Sequence, residues 1–189
     1  MPKKIAVAVT GASGSIYAQK LLEQMVAHGH SFSQIALIFS ETGRRVWEYE
    51  LGSIPEFPKP VEVYENNNMF SPVASGSAAY DAMVVVPCTM GTLGRIAAGT
   101  SPDLISRAAD VMLKERRKLI LVPRELPYSL IHIENMRTIT LAGGIILPAS
   151  PSFYSLPQNI DELVLTVVNR ILDVVGIETH HYRWGDEKL

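Results

Sequence analysis

The residues Thr10-Gly11-Ala12-Ser13-Gly14 close a short apolar run and open an amphipathic one. Glycines at such a junction let a flat or anionic ligand approach the backbone, and the first amides of the following helix are unpaired donors. The same residues also suit a tight turn in which Ser13 or Ser15 caps the helix. The stretch is neither a P-loop, which needs Lys and then Ser or Thr after its second glycine, nor a G-x-G-x-x-G turn. Hydroxyls and small residues recur after later apolar runs, at Ser40 and at Thr89-Met90-Gly91-Thr92. Several hydroxyls gathered at one edge suit a phosphate without requiring a lysine or a metal.

The cations that could meet such a phosphate lie in the second half of the chain. Arg107 and Lys114 are seven residues apart in "DLISRAADVMLKERRKLILVPRE", two helical turns, and share a face. The plain alternative is a solvated face paired with Asp110 or Glu115. Arg124 comes directly after a buried run, where a cation needs an anionic partner. Glu125 is then a proton donor to that partner or simply a neighbour. Tyr154 comes after the last apolar run, and Arg170 lies in the last helical segment. Arg107, Lys114, Arg124 and Arg170, with the Tyr154 hydroxyl, could neutralise a phosphate monoester through forked Arg donors and a Lys point charge.

Other reactive types carry less. His28 with His30, and His180 with His181, have no carboxylate or cysteine at metal spacing and read as solvated pairs, so no metal is expected. There is no G-x-S-x-G elbow for a hydrolase nucleophile. Cys88 closes a buried run and reads as packing, and His132 in "SLIHIENM" as a core or interface residue.

Positioning such groups is work for alternating strands and helices. Short apolar runs at Ile5–Val9, Gln34–Phe39, Met83–Pro87, Leu119–Val122 and Ile145–Leu147 predict strands buried on both faces. Between them, helical segments are expected at Ser15–Ala27, Glu41–Glu50, Thr92–Ala97, Asp103–Arg116, Ser129–Leu141 and Asp161–Val175. This is the pattern of a single doubly wound α/β domain, Rossmann-like or flavodoxin-like, with a parallel sheet flanked by helices. Ligands of such folds bind beyond the carboxyl ends of the strands, where the polar residues above cluster. Gly52 to Gly76, rich in proline and asparagine and then in small residues, reads as a long functional loop or lid, or as a disordered excursion.

With 189 residues and 47% hydrophobic composition the chain is expected to form one domain, its tail of about 177–189 packing on itself or on a neighbouring subunit. A net charge of −2 excludes the basic footprint of nucleic-acid binding. No apolar run is long enough for a membrane span. Lys3 and Lys4 precede a run too short for a signal peptide, and the single cysteine leaves no internal disulfide, so the cytoplasm is the expected location.

In order along nearly the whole chain, "TGASG", "SPVASGS", "AMVVVPCTMGTL", "RAADVMLKERRKLILVPRE", "IHIENM" and "PASPSFY" with a later "RIL" resemble the UbiX/Pad-type flavin prenyltransferases of the homo-oligomeric flavin-containing cysteine decarboxylase superfamily. The resemblance implies transfer of a dimethylallyl group from dimethylallyl monophosphate to reduced FMN without a metal, giving prenylated FMN for UbiD-type decarboxylases. It implies that Gly11, Ala12, Ser13, Ser40, Thr89, Met90, Gly91, Thr92 and Arg124 hold FMN. Lys114, Arg124, Tyr154 and Arg170 would hold the donor phosphate. Ser13 with Glu125 would relay a proton, while Arg107 and Lys114 complete the catalytic set. A homododecamer with the flavin where subunits meet is implied as well.

Two departures stand out: Met69, followed by Phe70, replaces a tryptophan common before "ASGS", and the connection Leu51–Tyr64 is short. Two rival activities remain. A cysteine-type decarboxylase would carry a histidine base and a P-x-M-N-x-x-M-W motif, which is absent; a non-catalytic FMN-binding or regulatory subunit would retain the flavin residues alone.

Overall fold

The computed structural model describes residues 1–185. The described residues form six strands and six α-helices in the order β1 (Lys3–Val9), α1 (Ser15–Ala27), β2 (Phe32–Phe39), α2 (Glu41–Leu51), β3 (Val61–Glu65), β4 (Ala82–Cys88), α3 (Met90–Ala97), α4 (Leu104–Lys114), β5 (Lys118–Pro123), α5 (Leu130–Leu141), β6 (Ile145–Ile146) and α6 (Ile160–Val175). All pairings are parallel, in the order β3-β2-β1-β4-β5-β6. The order reverses between β1 and β4, and that reversal opens a crevice at their carboxyl ends.

Successive residues of a strand face opposite ways. Ile5, Val7 and Val9 pack with Leu21, Leu22, Trp47, Val168 and Ile171, from α1, α2 and α6. Ala6 and Ala8 face the other way, toward Leu93, Leu104, Ala108 and Ile139, from α3, α4 and α5. Both faces of the sheet are therefore covered, which explains the unbroken apolar runs.

The expected long loop is corrected in one respect. Val61–Glu65 adds an edge strand, paired with β2 from Ile35↔Val61 to Phe39↔Glu65. Only Val61 of it is buried, and the charged Glu62 and Glu65 suit an unpaired edge. The excursion reading thus fails, since short helical turns at Pro72–Ala74 and Gly76–Ala78 order the chain between this strand and β4.

Helix α2 also departs from the usual course. It does not descend beside the sheet but runs across its carboxyl edge: a Cβ at Gly11 would collide with Thr42 in its first turn, and Glu50 in its last turn reaches Gly14. Trp47 anchors it, edge-on to Phe39 at 5.6 Å and to Phe57 at 6.4 Å. No helix among the described residues is long and apolar enough to cross a membrane.

Candidate active site at the carboxyl edge of the sheet

The crevice is pinned by one residue on each wall. Thr10 donates from both N (3.2 Å) and Oγ1 (2.8 Å) to the Pro87 carbonyl, and Oγ1 accepts from Thr89 N at 2.8 Å. The first loop is thereby tied to the start of α3. Thr89 Oγ1 accepts from Thr92 N at 3.1 Å and lies 2.9 Å from Thr92 Oγ1, to which Arg95 donates at 3.1 Å. Ser40 Oγ accepts from Gly43 N at 2.9 Å, and Ser40 N bonds Val9 O. Ser40 and Thr89 are thus helix caps as well as crevice residues. The amino ends of α1, α2 and α3 point at one edge, a favourable field for an anion.

Ser13 is exposed between two charges. Arg124, just beyond β5, donates from Nε to the Ser13 carbonyl at 3.1 Å. On the other side, the Glu50 carboxylate accepts from Gly14 N at 3.0 Å and Ser15 N at 2.8 Å, with the Ser13 hydroxyl beside it. Partial burial works against the Glu50 carboxylate, but the Ser13 hydroxyl and the two amides outweigh it and hold the group below its usual range. Gly14 sits at φ 109°, a conformation that glycine adopts without strain, and this turns the two amides toward Glu50.

Glu50 is the functional candidate that sequence reasoning missed. Glu125, the expected partner of Ser13, is exposed, and its carboxylate accepts from Leu126 N at 3.1 Å. Among the described residues no carboxylate lies in ion-pair reach of Arg124, so its charge is open to a ligand. Gly11, Ala12, Ser13, Ser40, Thr89, Met90, Gly91, Thr92 and Arg124 are brought to this edge. Gly11 makes room for Thr42 rather than for a ligand, whereas the unpaired Arg124 guanidinium and the helix ends fit the phosphate of a flavin nucleotide.

The four cations do not converge within one chain. Arg107 donates from Nε to Ala74 O at 3.2 Å and pairs with Asp110 at 2.8 Å. Lys114 Nζ is 2.6 Å from Glu115 Oε1. Lys114 ends α4, shortly before Lys118 opens β5, whereas Arg124 lies past that strand's far end. A strand of this length separates the two by about 20 Å. Arg170 and Tyr154 form a third group with the tail: Trp184 meets Tyr154 edge-on at 4.9 Å, and Arg170 Nη1 is 3.9 Å from Asp173. Met69 and the fully exposed Phe70 stand near the start of α4, where the Asn66 carbonyl and side chain accept from Leu104 and Ile105 N.

Two smaller expectations change. His181 is not solvated: its ring lies against Asp173, Nε2 at 3.2 Å, with the side chain 14% exposed. Residues 177–185 of the tail return along α6, and the remainder of the expected tail lies outside the described residues. Cys88 is fully buried, and burial pushes its thiol up to about 12, as suits packing.

A doubly wound sheet with three helix ends and an open arginine at its switch point defines a nucleotide-binding flavoprotein class, and residues 1–173 match the family model described as Flavoprotein. The flavin prenyltransferase UbiX of Methanocaldococcus jannaschii is 45% identical over 185 residues, covering 96% of this chain and 98% of that one. The chain belongs to the flavin prenyltransferases of this flavoprotein family. Among solved structures, a UbiX protein in complex with FMN and dimethylallyl pyrophosphate superposes with TM-score 0.89 at 38% identity, covering 97% of this chain and all of that one. A dodecameric FMN-dependent UbiX-like decarboxylase from Escherichia coli O157:H7 also gives 0.89 at 38% identity, over 96% and 98% of the two chains.

Proposed function

We propose that this chain transfers a dimethylallyl group from dimethylallyl monophosphate to reduced FMN. The observation that carries the reading is the Ser13 loop, clamped between the Glu50 carboxylate and the Arg124 guanidinium at the switch point. The crevice residues Gly11 to Ser13, Ser40, Thr89 to Thr92 and Arg124 hold FMN. In the reaction the allylic C–O bond breaks and phosphate leaves with the electron pair while the ring nitrogen bonds the freed carbon and gives up its proton. The alkene π bond is then consumed as it takes up a proton, and the nearby ring carbon, one atom removed from that nitrogen, bonds the tertiary carbon and loses its proton, so that one proton in net is released.

Positive charge preorganised around the leaving phosphate lowers the barrier without a metal. Arg124 supplies it from one chain, and Lys114, Arg107, Arg170 and Tyr154 complete it where copies of the chain meet. Their separation within one chain supports a site shared between subunits, and the exposed apolar α5 supports a homo-oligomer, which we take to be a dodecamer like the Escherichia coli relative. Ser13 and Glu50 set the hydrogen bonding at the reacting edge, while Glu125 and the departing phosphate receive the proton.

The product, prenylated FMN, serves a UbiD-type decarboxylase, and the whole chain acts as one flavoprotein domain. The buried, reduced Cys88 is consistent with a cytoplasmic location.

The test incubates purified protein with reduced FMN and either the mono- or the pyrophosphate donor, without metal, and weighs the flavin. One added C5 unit with the monophosphate is expected. Unmodified FMN with both donors would overturn the reading, and a gain only with pyrophosphate would overturn the choice of donor.

A further inference from the structure

Asp173 lies in the last turn of α6, and its side chain is only 13% exposed. Groups from two segments meet on its carboxylate. From the returning tail, Arg183 Nη2 and Nη1 approach to 2.7 and 3.3 Å and His181 Nε2 to 3.2 Å. From one turn earlier in the helix, Arg170 Nη1 stands at 3.9 Å. The His181 ring is held at its other nitrogen too, Nδ1 being 2.9 Å from Thr179 Oγ1. The next residue after Arg183 is Trp184, whose ring packs on Tyr154. These groups line a cleft of about 550 Å³ between α6 and the tail.

The carboxylate is the shared partner of both arginines, and losing it would leave two guanidinium groups facing each other. The distances divide its work. Arg183 takes the short, forked contact that fastens the tail. Arg170 takes only the longest one, which steers its guanidinium yet leaves it mostly solvent-facing, at 68% side-chain exposure, and able to meet an anion.

We propose that Asp173 is a positioning residue for donor binding. It orients Arg170 directly and, through Arg183 and His181, fastens the tail so that Trp184 braces Tyr154. The inference rests on the reading that Arg170 and Tyr154 hold the donor phosphate.

The test compares full-length Asp173→Asn, Asp173→Glu and Arg170→Ala with the parent protein, titrating dimethylallyl monophosphate at saturating reduced FMN. Asp173→Asn raises the donor KM about tenfold, the size expected for losing a charged hydrogen bond, and leaves kcat and FMN affinity within about twofold. Asp173→Glu recovers most of the KM. An unchanged donor KM in Asp173→Asn while Arg170→Ala raises it overturns the positioning role. An unchanged KM in Arg170→Ala overturns the underlying donor assignment instead. If Asp173→Asn fails to fold, Arg183→Gln breaks the same pair from the tail; it must then raise the donor KM, and an unchanged KM overturns the proposal.

Discussion

Ser13 shows how far a single residue's setting can depart from its sequence neighbourhood. Its glycine-rich surroundings announce a ligand loop, and the loop indeed lies at the switch point. The carboxylate beside it comes from Glu50, at the far end of another helix, and no local pattern links the two. A contact of that range is invisible without knowing that α2 crosses the strand ends. Because Glu50 is held below the usual carboxylate range, its contribution to stability is complete above its unfolded value of about 4.3 and is lost as pH falls through the lower folded value. Glu50→Gln should therefore narrow its melting-temperature gap from the parent protein as pH drops from 6 toward about 3.5; a gap constant with pH would exclude the assigned charge. The same variant should slow flavin alkylation while FMN stays bound. At Cys88 the expectation is silence: with its thiol pushed up to about 12 by burial, iodoacetamide at pH 8 should label the unfolded chain and spare the native one, as mass spectrometry would report.

Among the elements, the strands buried on both faces were legible because such strands must be apolar throughout, and β1, β2, β4 and β5 differ from expectation only at their ends. Helix α1 matches at both termini. The edge strand β3 was hidden because one buried side chain among charged neighbours leaves no alternation to read. Helix α5 was ambiguous for the opposite reason: its apolar residues suited a core and a subunit contact alike, and only Ile139 is buried, while Leu130 and Ile131 are each 72% exposed. Helix α4 carries the best-defined cap, with Asp103 Oδ1 accepting from Ser106 N at 2.9 Å and Ser106 Oγ accepting from Asp103 N at 3.3 Å. Asp103→Ala should cost about 1 kcal/mol. A thermal melt should show a drop of about 2–4 °C. The Met69–Phe70 segment should loosen with it, because Asn66 ties that segment to the same helix end.

For the whole molecule, the separation between Lys114 and the Ser13 loop would make assembly part of the chemistry if both serve the proposed reaction. Chains carrying Lys114→Ala and chains carrying Ser13→Ala should each be nearly inactive alone. Co-refolded, they should regain a fraction of parental turnover, because some shared sites then draw both intact residues from different chains. No recovery in mixed particles of full size would place the two residues in one chain's site. Ile131→Glu, on the bare face of α5, should give smaller particles by light scattering and lose donor turnover more than the fold itself, as judged by circular dichroism. The sequence could announce cations and an apolar helix, but one chain by itself does not bring the cations together, so nothing local in the sequence could show their mutual placement.

The transverse course of α2 has one more outcome. By lying over the first loop, with Thr42 against Gly11 and Glu50 against Gly14, it closes that side of the crevice with the chain's own side chains. If flavin binds as proposed, ring and product would share the side left over β4 and β5, and bulk added to the side chains there should slow both passages alike.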